Sequence, residues 1–508
     1  MSGTDTILDR LFARAVSSPD ASALTAGDKH LSWQELAERI ARFVGGVRRA
    51  GVAEGERIAI HAANSAEAVV AYLGSVAAGC IAVPLPTSLL RTDLARLIDD
   101  CAPALIVADP AGAEAVAGAS DAPLVFVGGA GPAQAGFEAF LDGGEPIMRP
   151  AAVAPEAGFN IIYSSGTTGR PKGIVHSHGM RNSQAGRGVF DIGPDSVMLL
   201  ATPLYSNTTL MPLLASLFHG GHVVLMPKFD VARYLALAEA FRATHTMLVP
   251  VQYQRLLAHE SFAAHNLSAF RVKQCTSAPM PVALKRDILA RWPGRFVEVY
   301  GLTEGGVTLI LDAARHPDKL HTVGRPAPGN DIRVIDEDGR EVPRGATGEV
   351  VGRSPFMMTG YWRRPDADAA LAWQAPDGTA FFRSGDLGAF DPDGFLTLQG
   401  RKKDLIISGG FNIYPGDLEA VLLEHPDVAE AAVVGAASRE WGETPFAFVV
   451  PHPGRKIDGG TLREWANARL GRMQRLAGVS VRPQLPRSGI GKVLKTELAT
   501  DPALRTVA

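Results

Sequence analysis

Cysteine is scarce in this sequence: Cys80, Cys101 and Cys275 are the only three in 508 residues, widely spaced and odd in number. They supply neither a disulfide framework nor a cysteine metal site, and a reducing cytoplasm is the expected setting. Charge imbalance is lacking too. Fifty basic and 53 acidic residues leave a formal net charge of -3, so no global field recommends nucleic acid or an anionic membrane as partner. No run approaches the ~18 apolar residues of a transmembrane helix, and Met1 to Arg10 carries acids without an apolar signal stretch. No serine sits in a Gly-x-Ser-x-Gly setting, which argues against a serine hydrolase. His176 and His178, expected on one face of a strand, and the pair His219 and His222 have no cysteine or acid spaced to complete a zinc site. What is left is a soluble chain with length for two to four domains.

The densest chemistry lies in Tyr163-Ser164-Ser165-Gly166-Thr167-Thr168-Gly169-Arg170-Pro171-Lys172-Gly173, set between the apolar runs Phe159 to Ile162 and Ile174 to His176. This predicts a strand, a loop and a strand. Three glycines, four hydroxyls and two cations in eleven residues let backbone N–H groups and short donors approach a polyanion closely. A Walker A loop is excluded, because its second glycine would fall on Pro171 and its hydroxyl on Gly173. Pro171 also prevents a helix from opening there.

Around this loop the pattern is α/β. Ser32-Trp33-Gln34-Glu35 predicts a capped helix, with Leu36, Ile40, Val44 and Val47 on one face. Arg57 to Ile60, Cys80 to Leu85, Ala104 to Val107 and Leu124 to Val127 predict buried strands. The glycines at 128, 129 and 131 miss the dinucleotide fingerprint at Gln134. Ser196 to Thr202, Val223 to Met226 and Met247 to Val249 continue the strands, with helices over Val231 to Thr244 and Gln252 to His259. Val297 to Gly306 predicts a strand opening on Tyr300-Gly301-Leu302-Thr303-Glu304, at the strand end where ligands of such sheets bind. From about Thr322, turns such as Asp391-Pro392-Asp393-Gly394 announce a β-rich region. It holds Arg383-Ser384-Gly385-Asp386 and Gly400-Arg401-Lys402-Lys403-Asp404. Strands and helices resume to Pro486-Arg487-Ser488-Gly489-Ile490-Gly491-Lys492.

The signature loop, the Tyr-Gly-x-Thr-Glu string, the two motifs at 383 and 400 and the lysine-bearing tail together resemble the AMP-forming, adenylate-forming ligase superfamily, which includes acyl-CoA and aryl-CoA synthetases. The resemblance covers nearly the whole chain. It implies a large N-terminal domain, 1–402, of parallel sheets covered by helices with a β-rich subdomain at about 322–402. A small mobile α+β domain, 403–508, would follow. It also implies an ATP-, Mg2+- and coenzyme A-dependent ligase that makes an acyl-AMP and then an acyl-CoA. The partner is a small carboxylic acid, and a homodimer fits the family.

Carried over residue by residue, the resemblance gives Ser164, Ser165, Gly166, Thr167, Thr168 and Lys172 to the phosphates. Ser277, Ala278, Tyr300 and Gly301 go to adenine, Asp386 and Arg401 to ribose and phosphate, Thr303 and Glu304 to catalysis, Glu304 also as the Mg2+ ligand. Lys492 would bridge the attacking carboxylate and the α-phosphate, and Lys403 would be the hinge. Gly409 and Gly410 would leave room for a pantetheine arm, with Trp441 and Arg475 near the CoA nucleotide. The stretch around Arg475 departs from the basic, proline-containing pattern common there. Tyr205, Ser206 and Asn207 would wall the acyl pocket, and Ser206 stands where many relatives have histidine. That smaller polar wall suits a hydroxylated aromatic acid of the benzoate or hydroxycinnamate type. Two alternatives stay open: a medium-chain fatty acid as substrate, or a carrier-protein phosphopantetheine as acceptor.

Overall fold

A computed structural model describes residues 5–128, 135–164, 172–408, 411–439, 441–488 and 491–506, with backbone alone at 135, 164, 473 and 506. Two compact units result. The first holds residues 1–321, 326–330 and 353–372; the second holds 322–325, 331–352 and 373–508.

Two sheets build the first unit. One has the spatial order Gly360–Tyr361, Lys172–Ser177, Gly158–Ser164, Ile81–Pro84, Arg57–His61, Leu105–Ala108, Leu124–Phe126 and Ala135–Gly136. Its strands run parallel from Gly158–Ser164 outward, while the signature strands pair antiparallel, Asn160 opposite His176. The other sheet runs through Thr308–Asp312, Arg295–Gly301, Val272–Cys275, His245–Leu248, Val197–Leu200, His222–Leu225, Ser22–Ala26 and Lys29–Ser32, parallel except at the end pairs. Strands buried on both faces need apolar residues throughout, which is why Ile81–Pro84 and Leu105–Ala108 read as unbroken runs. The helix Trp33–Arg49 starts where Ser32 and Glu35 close a reciprocal capping box, and buries Leu36, Ile40, Val44 and Val47. It packs with Ala66–Ala77 in one core around Trp33, Phe43, Tyr72 and Phe159.

In the second unit, Asp331–Ile335, Gly348–Arg353, Ala380–Phe390 and Leu396–Arg401 form a sheet whose last three strands pair antiparallel. Another contains Phe411–Ile413, Ile406–Ser408, Gly442–Pro451, Val428–Ser438 and Gly478–Val481. The helices Pro415–Leu423 and Gly459–Asn467 give Leu418, Leu422, Leu462 and Ala466 to its core. Among the described residues no helix is long and apolar enough to cross a membrane.

One local expectation changes. His178 does not share a strand face with His176, because the strand ends at Ser177, whose hydroxyl accepts from Met180 N and caps a helix beginning at His178.

Burial also sets a pH dependence. The imidazoles of His178, His222 and His245 are pushed down to about 4 by burial, and those of His61 and His176 are lowered from 6.5, again mainly by burial. Below pH 6.5 the unfolded chain takes up protons that these folded sites refuse, so each depressed histidine removes about 1.4 kcal/mol of stability per pH unit until its folded value is reached. Stability is therefore complete above about pH 6.5 and falls as pH drops toward 4. Scanning calorimetry should show Tm declining steadily from pH 6.5 to 5, with unfolding at pH 5 taking up several protons; a flat Tm across that interval would contradict the buried neutral imidazoles.

Candidate active site

Strand and turn chemistry in the first unit brings four of the sequence-predicted pieces together. Ser164 closes one signature strand and Lys172 opens the next, paired across the hairpin. The side chain of Ser164 and all of Ser165, Gly166, Thr167 and Thr168 lie outside the described residues. The Lys172 ammonium stands 5.3 Å over the ring of Tyr361, whose hydroxyl donates to Glu304 Oε1 at 2.8 Å. Burial and the Glu304 carboxylate both raise the Tyr361 phenol, so it stays a proton donor at neutral pH. The turn carrying Glu304 depends on Gly305, at φ +78°, where a Cβ would lie 1.8 Å from the Phe356 carbonyl. Tyr361 carried no motif signal, since its partner is 57 residues away in sequence.

Ser277 is held at φ +79°, a left-handed conformation costing a non-glycine residue ~1 kcal/mol or more. Its hydroxyl meets that of Thr208 at 2.8 Å. Thr208 belongs to the helix Asn207–His219, where Ser206 Oγ accepts from Thr208 N as the cap. The Ser277-Ala278 turn is thereby tied to the Tyr205-Ser206-Asn207 wall. Tyr300 and Gly301 end the strand Arg295–Gly301, pairing with Leu309 and Thr308.

Beneath these pieces lies a buried polar network. Arg181 is fully buried; its Nε donates to Asn160 Oδ1 at 2.8 Å, and its Nη1 to Gln184 Oε1 and Asn207 Oδ1, each at 2.8 Å. Its Nη2 donates to His176 Nδ1 at 3.0 Å. The Nε2 of His176 donates to the Thr303 carbonyl at 2.7 Å, which fixes the neutral tautomer with the proton on Nε2. Burial first, and the Arg181 charge second, hold this imidazole well below its ordinary value. Signature strand, Thr303-Glu304 turn and Asn207, the residue expected to wall the acyl pocket, therefore share one set of hydrogen bonds.

Next to that network an open cavity is lined by Met211, Ala215, Val299 and Ile310, with Gln184, Arg187, Gln274 and Thr308 as its polar lining. Gln274 is fully buried, and among the described residues neither atom of its amide has a hydrogen-bond partner. An unpaired buried polar group of this kind costs ~1–3 kcal/mol.

In the second unit Asp386 and Arg401 face each other across paired strands, with Arg401 Nε 3.0 Å from Asp386 Oδ1. Asp386 N donates to Ser384 Oγ, which donates in turn to the Val350 carbonyl. Behind them the buried Glu349 accepts from Arg383 and Lys402; burial alone would raise its carboxyl, and these two cations hold it lowered. Lys492 lies in the field of Arg401, Asp386, Lys403 and Asp404. Burial and then the Arg401 charge lower its ammonium's affinity for its proton. Trp441 and Arg475 are exposed, while Gly409 and Gly410 fall outside the described residues.

The description "AMP-binding enzyme" matches residues 11–362, and "AMP-binding enzyme C-terminal domain" matches 417–492. The feruloyl-CoA synthase of an Amycolatopsis species is 35% identical over 489 residues, 96% of each chain. The indoleacetate–CoA ligase of Aromatoleum aromaticum is 33% identical over 492 residues, 94% of this chain and 95% of that one. Among solved structures, ATP-bound MatB from Rhodopseudomonas palustris superimposes with a TM-score of 0.87 at 30% identity, covering 97% of this chain and 98% of that one.

Proposed function

The chain belongs to the AMP-binding enzyme family as an AMP-forming acid:CoA ligase, and we propose that its acid is aromatic. The observation that carries the aromatic reading is the apolar cavity beside the Asn207 wall and Tyr300. Its lining of Met211, Ala215, Val299 and Ile310 suits the faces of an aromatic ring. The feruloyl and indoleacetate ligases, similar over nearly their whole lengths, act on ring acids by name.

In the first half-reaction a carboxylate oxygen attacks the α-phosphorus of ATP, the bond to the bridging oxygen breaks, and pyrophosphate leaves. An anion attacks an anion, so charge neutralisation is the main requirement. The signature loop, Ser164 to Thr168 with Lys172, would take the phosphates; Tyr300 and the Ser277-Ala278 turn would hold adenine; Asp386 and Arg401 would hold ribose. Among the described residues no group of three His, Cys, Asp or Glu side chains could hold a metal by itself. Mg2+ would arrive with the phosphates, where one or two carboxylates suffice, and Glu304 would serve as the carboxylate. Bound there, Mg2+ would neutralise charge on the phosphate oxygens.

Lys492 would offset the negative charge between carboxylate and α-phosphate. In the second half-reaction the CoA sulfur attacks the acyl carbon, giving up its proton, and AMP leaves. For this step Lys403 would serve as hinge between domains 1–402 and 403–508, with Gly409 and Gly410 beside the pantetheine arm and Trp441 and Arg475 toward the nucleotide.

The test is AMP and thioester formation with ATP, Mg2+ and free CoA across benzoates, hydroxycinnamates and short to long aliphatic acids. Thioester with ring acids is the expected result. Thioester with aliphatic acids alone would displace the aromatic reading, and acid-dependent pyrophosphate release without thioester would favour a carrier-protein acceptor.

A further inference from the structure

We propose that Gln274 reads a hydroxyl at the far end of the substrate's ring, so that the acid this protein activates is hydroxylated away from its carboxylate. The inference deepens the aromatic-acid reading and rests on it. Side chains alternate along a strand, so Val272 and Gln274 share one face of Val272–Cys275. On that face Val272, Val297 and Val299 cluster with Phe190 and Ile310. Gln274 is a polar side chain set among these apolar ones, fully buried, lining the cavity, with both Oε1 and Nε2 unpartnered.

The cavity has a direction. Met211 and Ala215 line it from the helix whose first residue is the acyl-wall Asn207, and Val299 is the residue before Tyr300. A carboxylate held near that wall leaves the ring pointing along the cavity toward Gln274. A carboxamide presents one acceptor and two N–H donors. The small group that satisfies both kinds is one that donates and accepts, which is a hydroxyl. A methyl or halogen satisfies neither, and a second carboxylate can only accept, leaving Oε1 facing an anion. Arg187 also lines the cavity, but its guanidinium lies 4.1 Å over the Phe356 ring and donates to the Pro328 carbonyl. A distal carboxylate on Arg187 is therefore the rival that the experiment must include.

The experiment compares kcat/KM for thioester formation by the full chain on benzoate, 4-hydroxybenzoate and 4-carboxybenzoate, and on cinnamate and 4-hydroxycinnamate, for the wild type and Gln274→Met. Methionine keeps the unbranched length and removes both polar groups. In the wild type a hydroxylated acid should exceed its unsubstituted partner about a hundredfold or more, since a site built around a hydroxyl rejects analogues that lack it. In Gln274→Met that ratio should fall to within about threefold, chiefly through a higher KM for the hydroxylated acid. The variant should melt at or above the wild-type temperature, because it removes an unpaired amide. Ring acids used without regard to the hydroxyl, a preference for the 4-carboxy acid, or a ratio unchanged by the substitution would each overturn the proposal while leaving the ligase reading intact. No pyrophosphate release from ATP with any ring acid would remove this proposal and the aromatic reading together.

Discussion

Lys492→Ala is expected to slow acyl-adenylate formation by about two to three orders of magnitude while thioester formation from a supplied acyl-adenylate keeps most of its rate. The size follows from the role proposed for the ammonium, one preorganised charge brought to where negative charge concentrates as the carboxylate attacks. The selectivity follows from the local backbone. Lys492 sits on a hairpin bridged between Arg487 and Val493, where Ser488 N donates to the Lys492 carbonyl and Lys492 N donates to Ser488 Oγ. Arg487 adds bonds to the Gly491 carbonyl and to Glu430. None of these uses the lysine side chain, so alanine removes a charge and leaves the hairpin standing. Pyrophosphate exchange measures the first half-reaction, and single-turnover thioester formation from synthetic acyl-AMP measures the second. Equal losses in both would mean that the lysine holds structure or serves both steps.

Much of the fold was legible because its signals are local. Unbroken apolar runs gave the buried parallel strands, Ser32 and Glu35 gave a helix start through two reciprocal hydrogen bonds, and Asp391 to Gly394 gave a hairpin turn. Element ends were less legible because they depend on distant or unusual partners. The helix expected over Val231 to Thr244 stops at Ala240, where Arg242 takes a left-handed φ of +49°. The helix Gly459–Asn467 likewise ends where the Asn467 amide is drawn to both backbone groups of Leu476. Motifs marked the candidate site wherever it is built from contiguous residues. They missed Tyr361, Arg181, Asn160 and Gln274, each an ordinary polar residue in its own neighbourhood. Their meaning comes from burial and from partners elsewhere, such as Asn207 for Arg181 and the apolar cluster of Phe190 and Ile310 around Gln274. A glutamine inside an otherwise buried strand was the available hint, but sequence alone does not distinguish it from an edge position.

Arg181→Leu should destabilise the first unit by about 3 kcal/mol and raise KM for the acid by about tenfold or more. Two effects oppose each other. Burying a guanidinium away from water is costly, and burial lowers its proton affinity, so an apolar replacement recovers that cost. Against this, the arginine satisfies four acceptors at once, two of them fully buried on Asn160 and His176 and two half-buried on Gln184 and Asn207. After the substitution Asn160 Oδ1 keeps only the Tyr72 hydroxyl, at 3.3 Å, and His176 Nδ1 keeps only Asn160 Nδ2, at 3.2 Å. Gln184 Oε1 and Asn207 Oδ1 lose their bonds to the guanidinium outright. Lost acceptors should outweigh recovered solvation, because a leucine fills the volume without offering a donor. The functional loss follows from which residues are released: Asn207 at the acyl wall, and His176, whose Nε2–H holds the Thr303 carbonyl beside Glu304. Arg181→Lys should restore little, since an ammonium has three donors at a single point and cannot span acceptors arranged around a planar fork. Denaturant melts give the stability change, and steady-state kinetics with varied acid give the KM. A Leu variant as stable as the wild type would show that the recovered solvation wins and that the four acceptors find other donors. A Lys variant with wild-type KM would show that charge, and not the fork, positions the wall.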